Sequence, residues 1–268
     1  MDAHISFLTD YGTADGFVAA CHGVIARIAP QARVLDITHD VPPGDIRRGA
    51  ALLAQTLPYL PAGVHIAVVD PGVGTARRGV LVRTRDHLLV GPDNGLLPWA
   101  ADALGGPVSA HELTNHELML PRVSATFHGR DVFAPIAAHL VIGTAAHQVG
   151  ARLDPGELVR LPDPVAYVID RTAHGEVLTV DRFGNVQTSL DTVEVGELGI
   201  IPGDTLDVRS VDGEWRVVFG TTYGDVELSE LVAIVDAAGY LSIAVNGGDA
   251  SALLRLGPEK QVTVTPVR

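Results

Sequence analysis

The stretch Val64-His65-Ile66-Ala67-Val68-Val69-Asp70-Pro71-Gly72 determines how the first half of the chain is organised. Its first six residues form a short, β-branched run between turn residues, which indicates a fully buried strand. Asp70 follows this strand directly, and Pro71-Gly72 prevents both a longer strand and an immediate helix. Ligands of open α/β sheets bind beyond the carboxyl ends of the strands, so Asp70 is a candidate reacting group. An Asp before Pro-Gly also commonly caps a turn, and this simpler interpretation stays open.

Strands and helices alternate before this stretch. Residues 5–9 and 34–37 form two short predicted strands, and each is followed by a predicted helix. Asp15 is expected to open the first helix and Asp45 to cap the second. This alternation predicts a parallel sheet with right-handed crossovers, as in a Rossmann-like α/β domain. After Gly72, residues 80–83 and 87–91 are predicted to form a hairpin or an extension of the sheet.

The sequence pattern changes between residues 153 and 165, where three prolines fall in a helix-poor segment. This segment indicates a linker between domains. Beyond it the helical period disappears, and we expect strands at residues 177–180, 206–208, 215–219, 231–235, 241–245 and 262–264. Short strands at this spacing favour a small closed or partly closed β-barrel. The predicted domains are therefore an N-terminal α/β domain at residues 1–160 and a C-terminal β-barrel at residues 161–268.

The composition limits the possible partners. The chain carries 19 Lys and Arg against 32 Asp and Glu, a net charge of −13 that argues against nucleic acid and anionic membranes. The same charge is compatible with a cationic small-molecule substrate. Cys21 is a single cysteine on the apolar face of a predicted helix, so we expect it in the core. The acidic start Met1-Asp2 gives no sign of a signal peptide, and no run of about 18 apolar residues occurs. A cytoplasmic protein is expected.

Several predicted strands of the first half end in polar residues, and these ends should meet at one edge of the sheet. They carry Asp10, His39 and Asp70, while His128 stands at the entrance of a predicted helix over residues 132–141. Turn chemistry at every strand end is the alternative explanation. Asp10, Asp70, His39 and His128 could also hold a metal ion, which keeps a metal-dependent hydrolase of a nucleoside substrate open.

Familiar catalytic and nucleotide-binding motifs do not occur. Gly72-Val73-Gly74 lacks the third glycine of G-x-G-x-x-G, and the chain contains no P-loop lysine, G-x-S-x-G or H-E-x-x-H. In the second half, the polar turn at residues 181–186 carries Phe183, which could stack on a flat ring, and Asn185, whose amide suits an adenine edge. A hairpin turn with an incidental Phe explains the same residues.

Six motifs in order resemble those of the S-adenosyl-L-methionine hydroxide adenosyltransferases, relatives of fluorinating and chlorinating enzymes that act on the same substrate. The motifs are Thr9-Asp10-Tyr11-Gly12-Thr13-Ala14-Asp15, Asp70-Pro71-Gly72-Val73-Gly74-Thr75, Gly91-Pro92-Asp93-Asn94-Gly95, Phe127-His128-Gly129-Arg130-Asp131, residues 181–185 and residues 239–246. The resemblance implies hydrolysis of S-adenosylmethionine to adenosine and methionine without a cofactor or metal. It also implies an α/β domain, a β-barrel, and a homotrimer with sites between neighbouring subunits.

The resemblance also implies roles for individual residues. Asp70, Arg77 and His128 match the family's catalytic set. The implied substrate-binding residues are Asp10 and Asp15 at the first strand end and Asp181, Phe183, Asn185, Asn246 and Gly247 in the barrel. Asp10 would bind the ribose, Phe183 and Asn185 the adenine, and Asp181 is associated with the methionine end.

Differences from the halogenating branch favour water over halide. Those enzymes resemble one another in having Tyr where Asp70 stands, and the fluorinating ones carry Thr and Ser at the positions of Val73 and Gly129. They also carry a long insertion where this chain has a tight turn. Ala237-Ala238 replaces their Ser-Arg pair, so no residue is assigned to the methionine carboxylate. A halogenating enzyme and a non-catalytic sensor that binds S-adenosylmethionine or adenosine are the further alternatives.

Overall fold

The computed structural model describes residues 3–267 and divides into two compact units between Leu161 and Pro162. Met1 and Asp2, which entered the expectation about a signal peptide, lie outside the described residues. None of the helices within residues 3–267 has the length and apolar character needed to cross a bilayer.

The first unit is a seven-stranded sheet with helices, in the order β2-β1-β3-β5-β4-β6-β7. Strands β2, β1, β3 and β5 are parallel neighbours, whereas β4, β6 and β7 add to the sheet in antiparallel fashion. The predicted parallel sheet and the predicted hairpin are both confirmed. The elements are β1 (His4–Thr9), α1 (Phe17–Ile28), β2 (Arg33–Thr38), α2 (Ile46–Thr56), β3 (Val64–Val68), β4 (Gly79–Arg83), β5 (Leu88–Pro92), α3 (Pro98–Ala103), β6 (Ser109–Glu112), α4 (Ala134–Val141) and β7 (Arg152–Leu153).

Strand β3 is buried on both faces, which explains why four of its five residues are apolar; the fifth, His65, is buried as well. Ile66 and Val68 belong to a core shared with α1 and α4, while Ala67 and Val69 belong to a second core shared with α2 and α3. Cys21 lies in the first of these cores and is fully buried, as predicted. Burial raises the pKa of its thiol to about 12, so the group is not a nucleophile at neutral pH.

The two predicted helix caps have different outcomes. Asp45 caps α2, because its carboxylate accepts a hydrogen bond from the Arg48 backbone N–H at 2.9 Å. Asp15 does not cap α1: that helix begins at Phe17, Gly16 is the cap residue, and no side chain bonds to the first turn. Asp15 stands one position too early for capping and is exposed.

The second unit is a closed barrel with one additional strand, which confirms the predicted fold class. Seven strands follow the order β10-β14-β13-β12-β11-β15-β9, and β9 pairs with β10 to close the cylinder, while β8 pairs with β9 alone. The elements are β8 (Ala166–Ile169), β9 (Thr172–Val180), β10 (Val186–Asp191), α5 (Thr192–Leu198), β11 (Thr205–Ser210), β12 (Gly213–Phe219), β13 (Leu231–Val235), β14 (Tyr240–Val245), α6 (Ala250–Leu254) and β15 (Gln261–Pro266).

The expectation that helices end with the first half is wrong, since α5 and α6 lie in the second unit. Helix α5 carries a capping box between Asp191 and Glu194 and ends at Gly199 in the left-handed conformation. Strand β10 was not predicted because Thr188 and Ser189 interrupt its apolar pattern. Both are buried, and their hydroxyls donate to backbone carbonyls, that of Thr188 to Leu241 at 2.7 Å.

Candidate active site

The loop after β3 places Asp70 and Arg77 side by side. Its turns are held by backbone bonds from Val73 to Asp70 and from Thr75 to Gly72, each 3.2 Å long. Gly74 has a φ of +77°, and a Cβ there would lie 2.2 Å from the Ala125 carbonyl oxygen. Only glycine fits this position. The loop therefore returns the chain so that Arg77 faces the carboxylate seven residues earlier.

Asp70 and Arg77 form a two-pronged, largely buried ion pair. Arg77 Nε donates to Asp70 Oδ1 at 3.1 Å, and Nη2 donates to Oδ2. The Asp70 side chain is 5% exposed and the Arg77 side chain is 10% exposed. Arg77 Nη1 donates to the Arg78 carbonyl at 3.0 Å, and the guanidinium lies 5.5 Å from the Phe133 ring centre. A planar guanidinium held on three sides is a rigid support for a neighbouring reaction centre.

His128 completes the group from 51 residues further along the chain. Arg77 Nη2 lies 3.2 Å from His128 Nδ1. Because a guanidinium can only donate, Nδ1 accepts and the ring proton of the neutral imidazole is on Nε2. Burial and the positive charge of Arg77 lower the pKa of His128, which favours this neutral form. Burial also raises the pKa of Asp70, against the opposing effect of Arg77.

A wide helical turn over Gly129–Phe133 joins His128 to α4, so His128 stands at a helix entrance as predicted. Such π-helical turns occur frequently at functional sites. Asp131 anchors the turn, accepting from the Ser124 backbone N–H at 2.8 Å. Gly129 packs against Tyr11: a Cβ on Gly129 would lie 2.1 Å from the Tyr11 hydroxyl oxygen. The first strand end, which carries Tyr11, and the His128 turn are thus in direct contact.

Asp10 lies at the end of β1, the strand beside β3. Its Oδ2 accepts a hydrogen bond from the Gly44 backbone N–H at 2.9 Å, so the loop before α2 holds the carboxylate. Asp15 is exposed in the turn that leads to α1. The strand ends therefore supply Asp10 and Asp70 from neighbouring strands.

The structure does not assemble the four residues considered for a metal ion. Asp70 and His128 both face Arg77, whose positive charge opposes a cation at that position. His39 instead bonds through Nδ1 to the Thr9 hydroxyl at 2.8 Å. Within residues 3–267, the side chains able to hold a metal ion are His22, Asp36 and His39.

The predicted barrel residues divide into a lining set and a supporting set. Phe183, Asn185 and Gly247 line a cavity of about 550 Å³ together with Tyr223, Val245 and Gly248. Phe183 is 72% exposed, which is high for a phenylalanine. Sequence reasoning missed Tyr223, although an aromatic residue in the polar Thr221-Thr222-Tyr223-Gly224-Asp225 turn was the available signal.

Asp181 and Asn246 are occupied with backbone support. Asp181 Oδ1 accepts from the N–H groups of Phe183 and Asn185 at 2.8 and 2.9 Å, and Oδ2 accepts from Asn185 Nδ2 at 2.8 Å. The Asn246 side chain donates to the Val226 carbonyl at 2.8 Å. Asp181 thus shapes the turn that presents Phe183, and Asn246 ties the end of β14 to a neighbouring segment.

A second, larger cavity of about 1060 Å³ lies in the first unit. Its lining includes Arg83, His87 and Arg152 but none of the predicted site residues. The turn before β5 lies at the opposite edge of the sheet from Asp70, because β3 and β5 run parallel. Size alone therefore does not locate the chemistry.

Comparison with known proteins gives one consistent result. A model of the SAM hydroxide adenosyltransferase N-terminal domain matches residues 5–150, and a model of the C-terminal domain matches residues 175–263. The chain is 55% identical over 262 residues, covering 97% of each protein, to a protein of Salinispora arenicola (strain CNS-205) named (R)-S-adenosyl-L-methionine hydrolase. It is 28% identical over 289 residues to a fluorinase of Actinopolyspora mzabensis, covering 97% of this chain and 96% of that one. A crystal structure of an uncharacterized conserved protein from Thermotoga maritima matches with a TM-score of 0.93 and 38% identity, covering 97% and 99% of the chains.

Proposed function

The chain belongs to the SAM hydroxide adenosyltransferase family, and we propose that it hydrolyses S-adenosyl-L-methionine to adenosine and L-methionine with Asp70, Arg77 and His128 as its catalytic residues. The hydrogen-bonded Asp70–Arg77–His128 group is the observation that carries the proposal. The relative named as a hydrolase is 55% identical, against 28% for the fluorinase. A carboxylate at position 70 suits the activation of water.

The reaction needs a nucleophile more than it needs an acid. The C5′–S bond breaks with its electron pair going to sulfur, so methionine leaves from the sulfonium as a neutral thioether. A new C5′–O bond forms to water, which releases one proton. The site must therefore hold a water molecule in line with the breaking bond and accept its proton.

The geometry suggests a different role for each of the three residues. Arg77 would lower the effective pKa of the bound water and position it. The Nε2–H of neutral His128 is a donor that can orient the water, while its Nδ1 is already engaged by Arg77. Asp70 is the better proton acceptor, because burial raises its pKa toward that of a useful general base.

Binding of the adenosyl group would use the other predicted residues. The Asp10 carboxylate is suited to the ribose hydroxyls. Phe183 and Tyr223 offer flat rings for the adenine, and Asn185 offers an amide. These groups belong to different units of the chain, and we propose that a homotrimer combines the Asp10 side of one subunit with the barrel of its neighbour.

The direct test is incubation with S-adenosylmethionine in chelator-treated, halide-free buffer, with adenosine and methionine followed by chromatography. We expect both products in equal amounts. Activity that disappears in chelator and returns with added metal would support the metal-dependent alternative. Tight binding without product would support the sensor, and 5′-halo-adenosine in halide salt would support the halogenating enzyme.

A further inference from the structure

Three side chains of types that commonly bind metal ions meet at the edge strand of the first unit. His22 lies on α1, Asp36 on β2, and His39 in the loop that follows β2. Their ligand atoms all lie within 4.8 Å of one another. We propose that His22, Asp36 and His39 form a binding site for a divalent transition-metal ion such as Zn²⁺, distinct from the catalytic group at Asp70.

The spacing of the three ligand atoms suits a single ion. Asp36 Oδ1 lies 2.9 Å from His22 Nε2 and 3.1 Å from His39 Nε2. Two ligands of a tetrahedral zinc ion, each about 2.0–2.1 Å from the metal, are about 3.3 Å apart. Small side-chain movements would therefore accommodate the ion, and the backbone could stay in place.

The surroundings of the His39 side chain also favour a bound cation, independently of the spacing of the ligand atoms. Its side chain is 5% exposed, and its Nε2 makes no hydrogen bond although Asp36 Oδ1 is only 3.1 Å away. Its Nδ1 lies 2.8 Å from the Thr9 hydroxyl oxygen. When Nδ1 carries the proton and donates to Thr9, Nε2 directs its lone pair toward the carboxylate. A cation between these two electron-rich atoms would remove the repulsion, and an outer-shell bond from the second ring nitrogen is the usual support of a histidine ligand.

The ligand types select the class of metal. Two imidazole nitrogens and one carboxylate oxygen suit Zn²⁺, Co²⁺ or Ni²⁺, whereas Mg²⁺ and Ca²⁺ prefer oxygen ligands. Phe7 covers the inner side of the cluster, with ring centres 5.0 Å from His39 and 6.0 Å from His22. The outer side is accessible, since His22 and Asp36 are 35% and 41% exposed. An ion can therefore enter from solvent and keep a water ligand.

Metal binding would affect the stability of the loop that follows β2. The ion would join α1 to the loop after β2, which already contacts the first strand end. The His39 carbonyl accepts from the Gly12 N–H at 2.7 Å, and Gly44 at the far end of this loop donates to Asp10. Metal binding would thus stabilise the loop that holds Asp10, without taking part in the transfer of the water proton.

The test is titration of the metal-stripped full-length protein with Zn²⁺ in a calorimeter, paired with Co²⁺ titration followed by visible absorption. We expect one ion per chain with a Kd of about 1 μM or tighter, and a rise in Tm of roughly 5 °C at saturating Zn²⁺. His22→Ala should weaken Zn²⁺ binding at least tenfold. His116→Ala, at an exposed histidine elsewhere in the chain, should bind like the unchanged protein.

Asp36→Asn provides a second variant that keeps the side-chain shape and removes its charge. It should also weaken Zn²⁺ binding, while its metal-free Tm stays close to that of the unchanged protein, because the position is on the surface. Absence of binding at about 1 mM Zn²⁺ would overturn the proposal. Undiminished affinity in His22→Ala would do the same.

Discussion

Arg77 influences the ionic state of both of its neighbours, in addition to the effect of burial. Its guanidinium donates to the Asp70 carboxylate and to His128 Nδ1, so it favours a charged carboxylate and a neutral imidazole with one defined tautomer. Either change, protonation of Asp70 or of His128, would remove an acceptor that Arg77 uses. The three side chains therefore act as one unit, and single substitutions should have effects that do not add.

Asp70→Asn should reduce turnover roughly 100-fold or more, because an amide cannot accept the proton of the attacking water. Substrate affinity, measured by calorimetry, should change little. Asp93→Asn is the control, since Asp93 is also buried and its Oδ2 accepts from Arg78 Nε and Nη2 at 2.9 and 2.6 Å. That variant should lose stability but keep turnover within about threefold. Equal losses of turnover in both variants would show that stability, not chemistry, explains the effect.

Gly129→Ala should destabilise the protein by about 1–3 kcal/mol, because the new methyl group would meet the Tyr11 hydroxyl at 2.1 Å. Tyr11→Phe in the same chain should recover part of the loss. Recovery would be incomplete, since Tyr11 Cζ also lies only 3.0 Å from the position that the new Cβ would occupy. Urea denaturation of the two single variants and the double variant measures this coupling. Strict additivity would show that the two residues do not compete for the same space.

At the scale of elements, a buried polar chain crosses the middle of the first sheet. Ser6 on β1 bonds to His65 Nδ1 on β3 at 2.7 Å, and His65 Nε2 lies 2.8 Å from His87 Nδ1 just before β5. Burial lowers the pKa of His65 to about 3, and the neighbouring His87 adds to this effect. Side chains thus link β1, β3 and the residue before β5, and His65 among them is neutral in the folded protein at neutral pH.

This arrangement makes stability depend on pH. The pKa of His65 in the unfolded chain is about 6.5. Between about pH 6.5 and pH 3, His65 therefore binds a proton in the unfolded state but not in the folded state. Stability is thus lost as the pH falls through this window, and His65 should contribute about 2 kcal/mol of that loss at pH 5. His65→Gln, which does not titrate, should lose that much less between pH 8 and pH 5 in urea denaturation. Identical losses in both proteins would contradict the assignment.

At the scale of the whole molecule, each unit has its own apolar packing and its own set of predicted site residues. One unit carries Asp70, Arg77 and His128, and the other carries the cavity lined by Phe183 and Asn185. A site completed by a neighbouring subunit would make activity depend on assembly.

Mixed oligomers can test this arrangement. One chain would carry Asp70→Asn, and a second chain with a different tag would carry Phe183→Ala and Asn185→Ala together. Each should be nearly inactive by itself at low substrate concentration. Co-expressed and randomly assorted, they should recover about one quarter of the normal activity, since that fraction of intersubunit sites would receive two intact halves. No recovery in a verified mixed oligomer would place each complete site within a single chain.

Local patterns allowed much of the fold to be predicted from the sequence. The buried strand before Asp70, the alternation of strands and helices, the 80–91 hairpin and six barrel strands all follow from apolar period and turn residues within a few positions. The position of Asp70 at a strand end and the polar turn that carries Phe183 could be predicted for the same reason. Strand β10 was not predicted because its polar residues Thr188 and Ser189 are not typical of a buried strand. Their hydroxyls donate to carbonyl groups of other segments, and the sequence does not show these contacts.

What the tertiary structure alone decided are contacts between distant positions. The tautomer of His128 depends on an arginine 51 residues away, the barrel closes through the pairing of β9 with β10, and His22 meets Asp36 and His39 only when α1 packs beside β2. The sequence by itself determined the elements and the residues at their ends. Which of those residues meet depended on sheet order and helix packing, because backbone periodicity is a local property whereas side-chain contacts across the fold are set by the burial of the whole apolar core.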